Sequence, residues 1–137
     1  MILKSIETAY SNFRSRGFDK IYWCIDLHGT CLKNTYNSNE LTWLNEDVVK
    51  ALKIISSRKE CCIVIWSSCH ENYIPEVRKL FKEHNIRINY FNENPEIGNT
   101  TTGCFEKKFY FSIGVDDKFG FDPEIEWKDI INFYKNK

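Results

Sequence analysis

Ile21-Tyr22-Trp23-Cys24-Ile25, followed at once by Asp26-Leu27-His28-Gly29-Thr30, is the stretch that decides the fold. An unbroken apolar run offers no polar face to solvent, so it predicts a strand buried on both sides, as in a parallel sheet. The run stops abruptly at a carboxylate. Polar chemistry is thereby expected at the carboxyl end of a buried strand.

The same pattern returns further along. Cys61-Cys62-Ile63-Val64-Ile65-Trp66 ends at Ser67-Ser68, and the apolar stretch from Phe109 to Val115 ends at Asp116-Asp117. Ile86, Ile88 and Tyr90 alternate with period two and predict a further strand between them.

Helical spacing fills the intervals. Ile2, Ile6, Ala9, Tyr10 and Phe13 form one apolar stripe, with Gly17 as its stop. Asn45 can cap a helix with Glu46 and Asp47 in its first turn and Val48, Ala51, Leu52 and Ile55 on its buried face. Ile74, Val77, Leu80, Phe81 and His84 mark a third helix, with Asn85 as a left-handed stop. Asp122 can cap a fourth, with Pro123 at its first position and Trp127, Ile130, Ile131 and Tyr134 facing inward. Residues 31–45 are polar and read as a loop or short flap, and residues 92–106 as a long loop.

Strands separated by helices imply right-handed crossovers. The expected fold is therefore a single α/β domain over residues 1–137, a three-layer α/β/α Rossmann-like arrangement around a mainly parallel sheet of about four strands. A chain of 137 residues has little room for a second core. Its 42% hydrophobic and 15% aromatic content is that of a folded chain. Lys plus Arg equal Asp plus Glu at 19 each, so no net field draws the chain toward nucleic acid or an anionic membrane.

Cys24, Cys61 and Cys62 lie inside apolar runs, where a thiol behaves as a small hydrophobe, and the cysteines read as reduced. Cys61, Cys62, Cys69, His70 and Cys104 lack zinc-ligand spacing. The first residues mix polar and apolar side chains, unlike a signal peptide or a membrane span, which makes the cytoplasm the default expectation.

In open parallel sheets, ligands bind at the carboxyl ends of the strands beside a topological switch. Asp26, Asp116 and Asp117 can therefore converge despite their separation in sequence. Clustered carboxylates repel unless a cation compensates, and oxygen donors of this kind suit Mg²⁺.

At this point the chain resembles the haloacid dehalogenase-like (HAD-like) hydrolase superfamily. Asp26-Leu27-His28-Gly29-Thr30 is similar to its first motif, DxDGT, and Ser67 stands where its second motif has Thr or Ser after an apolar strand. Asp116-Asp117 resembles its fourth motif, and Lys107 or Lys108 precedes that pair where a third-motif lysine is sought. A regular strand from Phe109 would leave both lysines at its far end; a late strand start would bring them within reach.

The resemblance implies a capless HAD-like fold and phosphoryl transfer in two steps. Asp26 would be the nucleophile that carries an aspartyl-phosphate, which water then hydrolyses. Mg²⁺ would be held by Asp26, the His28 main-chain carbonyl, Asp116 and Asp117. Ser67 would donate a hydrogen bond to a phosphoryl oxygen, and Lys107 or Lys108 would neutralise charge on both Asp26 and the phosphate. His28 occupies the place of an acid/base Asp; histidine transfers protons too, but a nearby dication favours its neutral ring and hence a base over an acid.

Neither loop is long enough for a cap domain. Capless members of the superfamily act on exposed phosphates or borrow neighbouring subunits as lids. The implied substrate is a nucleotide or polynucleotide phosphate, and a homo-oligomer is a second expectation. The alternative function is a binding or regulatory module that keeps the metal site but is catalytically weakened at His28. A phosphorylation-switch receiver would carry its acidic pair on the first strand, whereas here the pair follows the last. Ser67 also suits a helix cap, the lysines suit a solvated strand edge, and Trp23 and Trp66 read as core aromatics.

Overall fold

Strands β1 (Ile21–Asp26), β2 (Cys61–Trp66), β3 (Tyr90–Phe91) and β4 (Ile113–Val115) pair in the order β3-β2-β1-β4, every pair parallel. The computed structural model describes residues 1–34 and 40–137, so part of the expected flap, residues 35–39, lies outside the described residues. The chain leaves β1 for β2 and β3 on one side, then returns to the other side of β1 to lay down β4. The direction of winding thus reverses between β1 and β4, which is where a doubly wound sheet opens a crevice at its carboxyl ends.

Four helices accompany the sheet among the described residues: α1 (Ile2–Ser15), α2 (Glu46–Ser57), α3 (Ile74–Glu83) and α4 (Glu126–Lys135). Alternation along a strand sends successive side chains to opposite faces. Ile21, Trp23, Ile25, Ile63 and Ile65 share one core with apolar residues of all four helices. Cys24 and Val64, from the opposite face, belong to a separate cluster with Phe109, flanked by Tyr90 and Phe111. The central parallel sheet and its two covered faces are as the apolar runs predict. What fills the third layer is the helix-free segment between β3 and β4.

Local sequence accounts for the helices. Asn45 Oδ1 accepts the Val48 N–H at 3.2 Å and its Nδ2 donates to the Pro123 carbonyl at 3.0 Å, so one cap starts α2 and ties it to the approach to α4. Asn85 adopts φ +59° and stops α3, as its short polar side chain allows.

Three elements are shorter than the sequence predicts, each for a polar reason. The Asn89 side chain accepts the Ile63 N–H at 2.8 Å and the Arg87 guanidinium donates to the Cys61 carbonyl, so side chains occupy ladder groups and β3 pairs only from Tyr90. The Ser112 hydroxyl similarly accepts the Tyr22 N–H at 3.1 Å, and β4 begins only at Ile113 instead of at Phe109. Asp122 accepts the Glu124 N–H through its side chain and the Glu126 N–H through its carbonyl, closing a separate turn before α4.

Glu96 staples the segment following β3 onto the sheet. It accepts from Lys20 Nζ at 2.6 Å, Tyr22 Oη at 3.1 Å and Tyr90 Oη at 2.6 Å. Tyr110 stacks edge-on against Tyr22, with ring centroids 5.9 Å apart.

Glu126 does the corresponding work on the helical side. Its carboxylate accepts the Ile2 N–H at 2.9 Å and the Asp122 N–H at 2.6 Å, joining the starts of α1 and α4. Burial pushes its pKa up, but these backbone donors outweigh that and hold it below the ordinary glutamate value. A depressed folded-state pKa stabilises the protein above the unfolded-state pKa, and the contribution is lost as pH falls through the folded value. Glu126→Gln should cost about 2 kcal/mol of unfolding free energy at neutral pH in urea titrations. The gap should close below about pH 4; an equal gap at both pH values would contradict this role.

Candidate active site

Asp26 is the last residue of β1, and Asp116-Asp117 directly follow β4, the strand paired beside it. Adjacent parallel strands that end together put these side chains at one place. One carboxylate oxygen from each of Asp26, Asp116 and Asp117 lies within 4.8 Å of the other two.

The turn after β1 holds this group together. The Leu27 carbonyl accepts N–H groups from Thr30, Cys31 and Leu32, winding the chain tightly back. Gly29 sits at φ +84° within the turn, and a Cβ there would meet Asp117 Oδ2 at 3.0 Å, so glycine serves both the backbone angle and the close approach. Thr30, fully buried, is the buckle. Its hydroxyl shares its proton between Asp26 Oδ2 at 2.9 Å and Asp117 Oδ1 at 3.1 Å, and accepts the Asp117 N–H at 3.0 Å. Behind it, the buried Trp127 of α4 donates its indole N–H to the Thr30 carbonyl at 2.9 Å. Asp116 is oriented from the other side, where its carboxylate accepts the Lys118 N–H at 2.9 Å and caps a single 3₁₀ turn, Asp117–Phe119.

Burial dominates the proton equilibria here. Burial, reinforced by the charges of Asp116 and Asp117, pushes Asp26 up to about 6, against the opposing Thr30 hydrogen bond. The Cys24 thiol is pushed up to about 12, first by burial and then by Asp116 and Asp26. Cys24 is therefore a neutral wall and not a nucleophile.

A cavity of about 470 Å³ opens beside the carboxylates. Asp26, Asp116, Lys107 and Lys108 line it together with aromatic side chains. The late start of β4 makes this possible: residues 107–112 precede the strand instead of forming its distal end, and both lysines reach the cavity.

Ser67 and His28 are placed differently. Ser67 follows Trp66, the residue paired with Asp26, so it stands at the same end of the sheet. Its hydroxyl accepts the Cys69 N–H at 3.2 Å, as in a local turn, and its main chain is clamped by both ends of the Asn92 amide. His28 lies half-buried in the turn after Asp26, with its backbone bridged to Leu32. Neither residue lines the cavity. Trp23 is fully buried as predicted, but Trp66 is not a core residue: it is 45% exposed and forms part of the cavity wall. The alternation explains the difference, since Trp23 faces the helices and Trp66 the opposite side, at the end of its strand.

Thr30 and the exposed Phe119 are site residues that motif spacing alone did not single out. Thr30 stands inside the quoted motif, yet its two carboxylate partners come from strands far apart in sequence. Phe119 follows the acidic pair by two residues in a segment without periodicity.

No protein-family model and no curated protein matches this chain. A solved structure, described as that of a conserved protein coded by a locus from Bacteroides thetaiotaomicron, is similar with a TM-score of 0.64 and 18% identity, over 85% of this chain and 91% of that one. At that identity the likeness concerns the fold alone, a Rossmann-like α/β architecture. All six cysteines are unpaired, and no helix among the described residues is long and apolar enough to cross a membrane.

Because Asp26 has a raised folded-state pKa, its contribution to stability is full below the unfolded value and is lost as pH rises through about 6. In metal-free buffer at pH 7.5, Asp26→Asn should be more stable than wild type by about 1–2 kcal/mol, after discounting for solvent screening. The advantage should vanish near pH 4. A destabilised Asp26→Asn protein at pH 7.5 would contradict the cost assigned to this half-buried charge.

Proposed function

We propose that this chain is a Mg²⁺-dependent phosphomonoester hydrolase of the HAD-like type, acting through an aspartyl-phosphate on Asp26, with a nucleotide or nucleic-acid end as the substrate. One observation carries the reading: carboxylates from two adjacent parallel strands meet at the switch of the sheet, beside a cavity that two lysines also line.

The residues fit a hard divalent cation. Asp26, Asp116 and Asp117 supply only oxygen donors, close enough together to share one ion. Bound there, Mg²⁺ would offset the repulsion between a carboxylate nucleophile and a phosphate dianion. Thr30 orients Asp26 through Oδ2 and keeps its carboxylate aimed from the end of β1.

In the first step an Asp26 oxygen forms a bond to phosphorus as the ester P–O bond breaks. The departing oxygen takes a proton, a role that falls to His28 or to solvent. In the second step water adds to phosphorus, inorganic phosphate leaves, and the Asp26 carboxylate is regenerated. Lys107 and Lys108 offset the charge that accumulates on the phosphoryl oxygens.

The test is Mg²⁺-dependent hydrolysis of an aryl phosphate and a nucleotide panel by wild type, Asp26→Asn, Asp116→Asn and His28→Asp. Asp26→Asn should abolish turnover, and Asp116→Asn should raise the Mg²⁺ needed for half-maximal rate by about tenfold or more. A gain in rate on His28→Asp would identify position 28 as the weakened proton-transfer group. Activity that survives Asp26→Asn unchanged would sink the nucleophile assignment. Mg²⁺ binding without any turnover would favour the binding-module alternative.

A further inference from the structure

The cavity carries more chemistry than phosphate binding needs. Its charged groups are Asp26, Asp116, Lys107 and Lys108, all suited to a phosphate and its counter-ion. The rest of its wall is largely aromatic, from Trp66, Phe109, Phe111 and Phe119. Cys24, Gly114 and Val115 complete the wall.

Two of these aromatics are left open to solvent. Trp66 is 45% and Phe119 77% exposed, although both belong to the same cavity. They also straddle the nucleophile strand. Trp66 ends β2 and is paired with Asp26, while Phe119 closes the turn after β4 on the other side of β1. Both side chains stand at the carboxyl end of the sheet, on either side of the strand that carries Asp26. Trp66 is braced edge-on by Phe109 with centroids 5.4 Å apart, and the Phe119 N–H is held by the Asp116 carbonyl at 3.0 Å.

A leaving group with no ring, such as glycerol, would leave most of this aromatic wall uncovered. A planar ring would instead cover apolar wall and gain stacking. We infer that the site selects phosphomonoesters bearing a planar aromatic or heteroaromatic ring, with Trp66 and Phe119 as the specificity residues that hold the ring. The turnover part of this inference rests on the hydrolase reading above; the ring site itself does not.

Two sources share this chemistry, an arene bonded directly to the phosphate oxygen and a nucleobase carried on a ribose. The experiment compares kcat/KM for naphthyl phosphate, a purine mononucleotide and glycerol phosphate in wild type, Trp66→Ala and Phe119→Ala. In parallel, equilibrium binding of non-hydrolysable naphthylphosphonate is measured by calorimetry on the same proteins. Ring-bearing esters should exceed glycerol phosphate about tenfold or more, and each truncation should cut that ratio about fivefold to tenfold, the size of one lost stacking contact. The better of the two ring-bearing esters names the source.

Equal kcat/KM for all three esters, or a ratio unmoved by both truncations, would overturn the ring site while leaving the hydrolase reading intact. If nothing is hydrolysed but naphthylphosphonate binds wild type, and binds Trp66→Ala at least fivefold more weakly, the hydrolase reading fails and the ring site stands. Phosphonate binding that neither truncation weakens, or no binding at all, overturns the ring site whatever the turnover.

Discussion

The meeting of Asp26, Asp116 and Asp117 at one end of the sheet is the constraint around which the rest of the structure is arranged. Carboxylates this close destabilise one another, and the fold brings them together regardless. The force that does so is remote from them. Burial of Trp23, Ile25, Ile113 and Val115 against the helices fixes β1 and β4 side by side, and their common direction leaves the acidic residues no other place to be. Thr30 then links two of the carboxylates through one hydroxyl, while Trp127 anchors the Thr30 carbonyl from within the core. Stability generated on the helical face thus offsets the cost of placing three carboxylates together at the sheet end.

The two faces of the sheet divide the labour. The helical face is closed by α1 to α4 and contains the larger part of the apolar core. The opposite face is covered by a segment without helices, whose attachment depends on Glu96 and on aromatic contacts of Tyr110 and Phe109. A helix there would have sealed the sheet with its own apolar stripe. The irregular segment covers it incompletely, leaving a cavity and bringing Lys107 and Lys108 to its wall.

Much of this was legible in the residues. Continuous apolar runs located β2 to the residue and β1 to within one, and the Asn45 cap and its inward stripe located α2. The convergence of Asp26 with Asp116-Asp117 followed from parallel strands ending in carboxylates. Side-chain competition for backbone groups was not legible. Asn89 and Ser112 look like ordinary strand residues, yet each takes a ladder N–H and moves the start of its strand. The position of the lysines depended on that displacement and could not be settled by counting residues back from Asp116. Trp66 was misplaced for a related reason, because an apolar run does not reveal where the covering layer ends.

The clustered carboxylates have a catalytic use only if they hold a divalent cation. Calorimetric titration of Mg²⁺ into wild type and Asp116→Asn at neutral pH tests this most directly. The predicted result is one Mg²⁺ per chain in wild type, with affinity lost or greatly weakened in the variant. Absence of binding in wild type, or equal binding in both proteins, would contradict it.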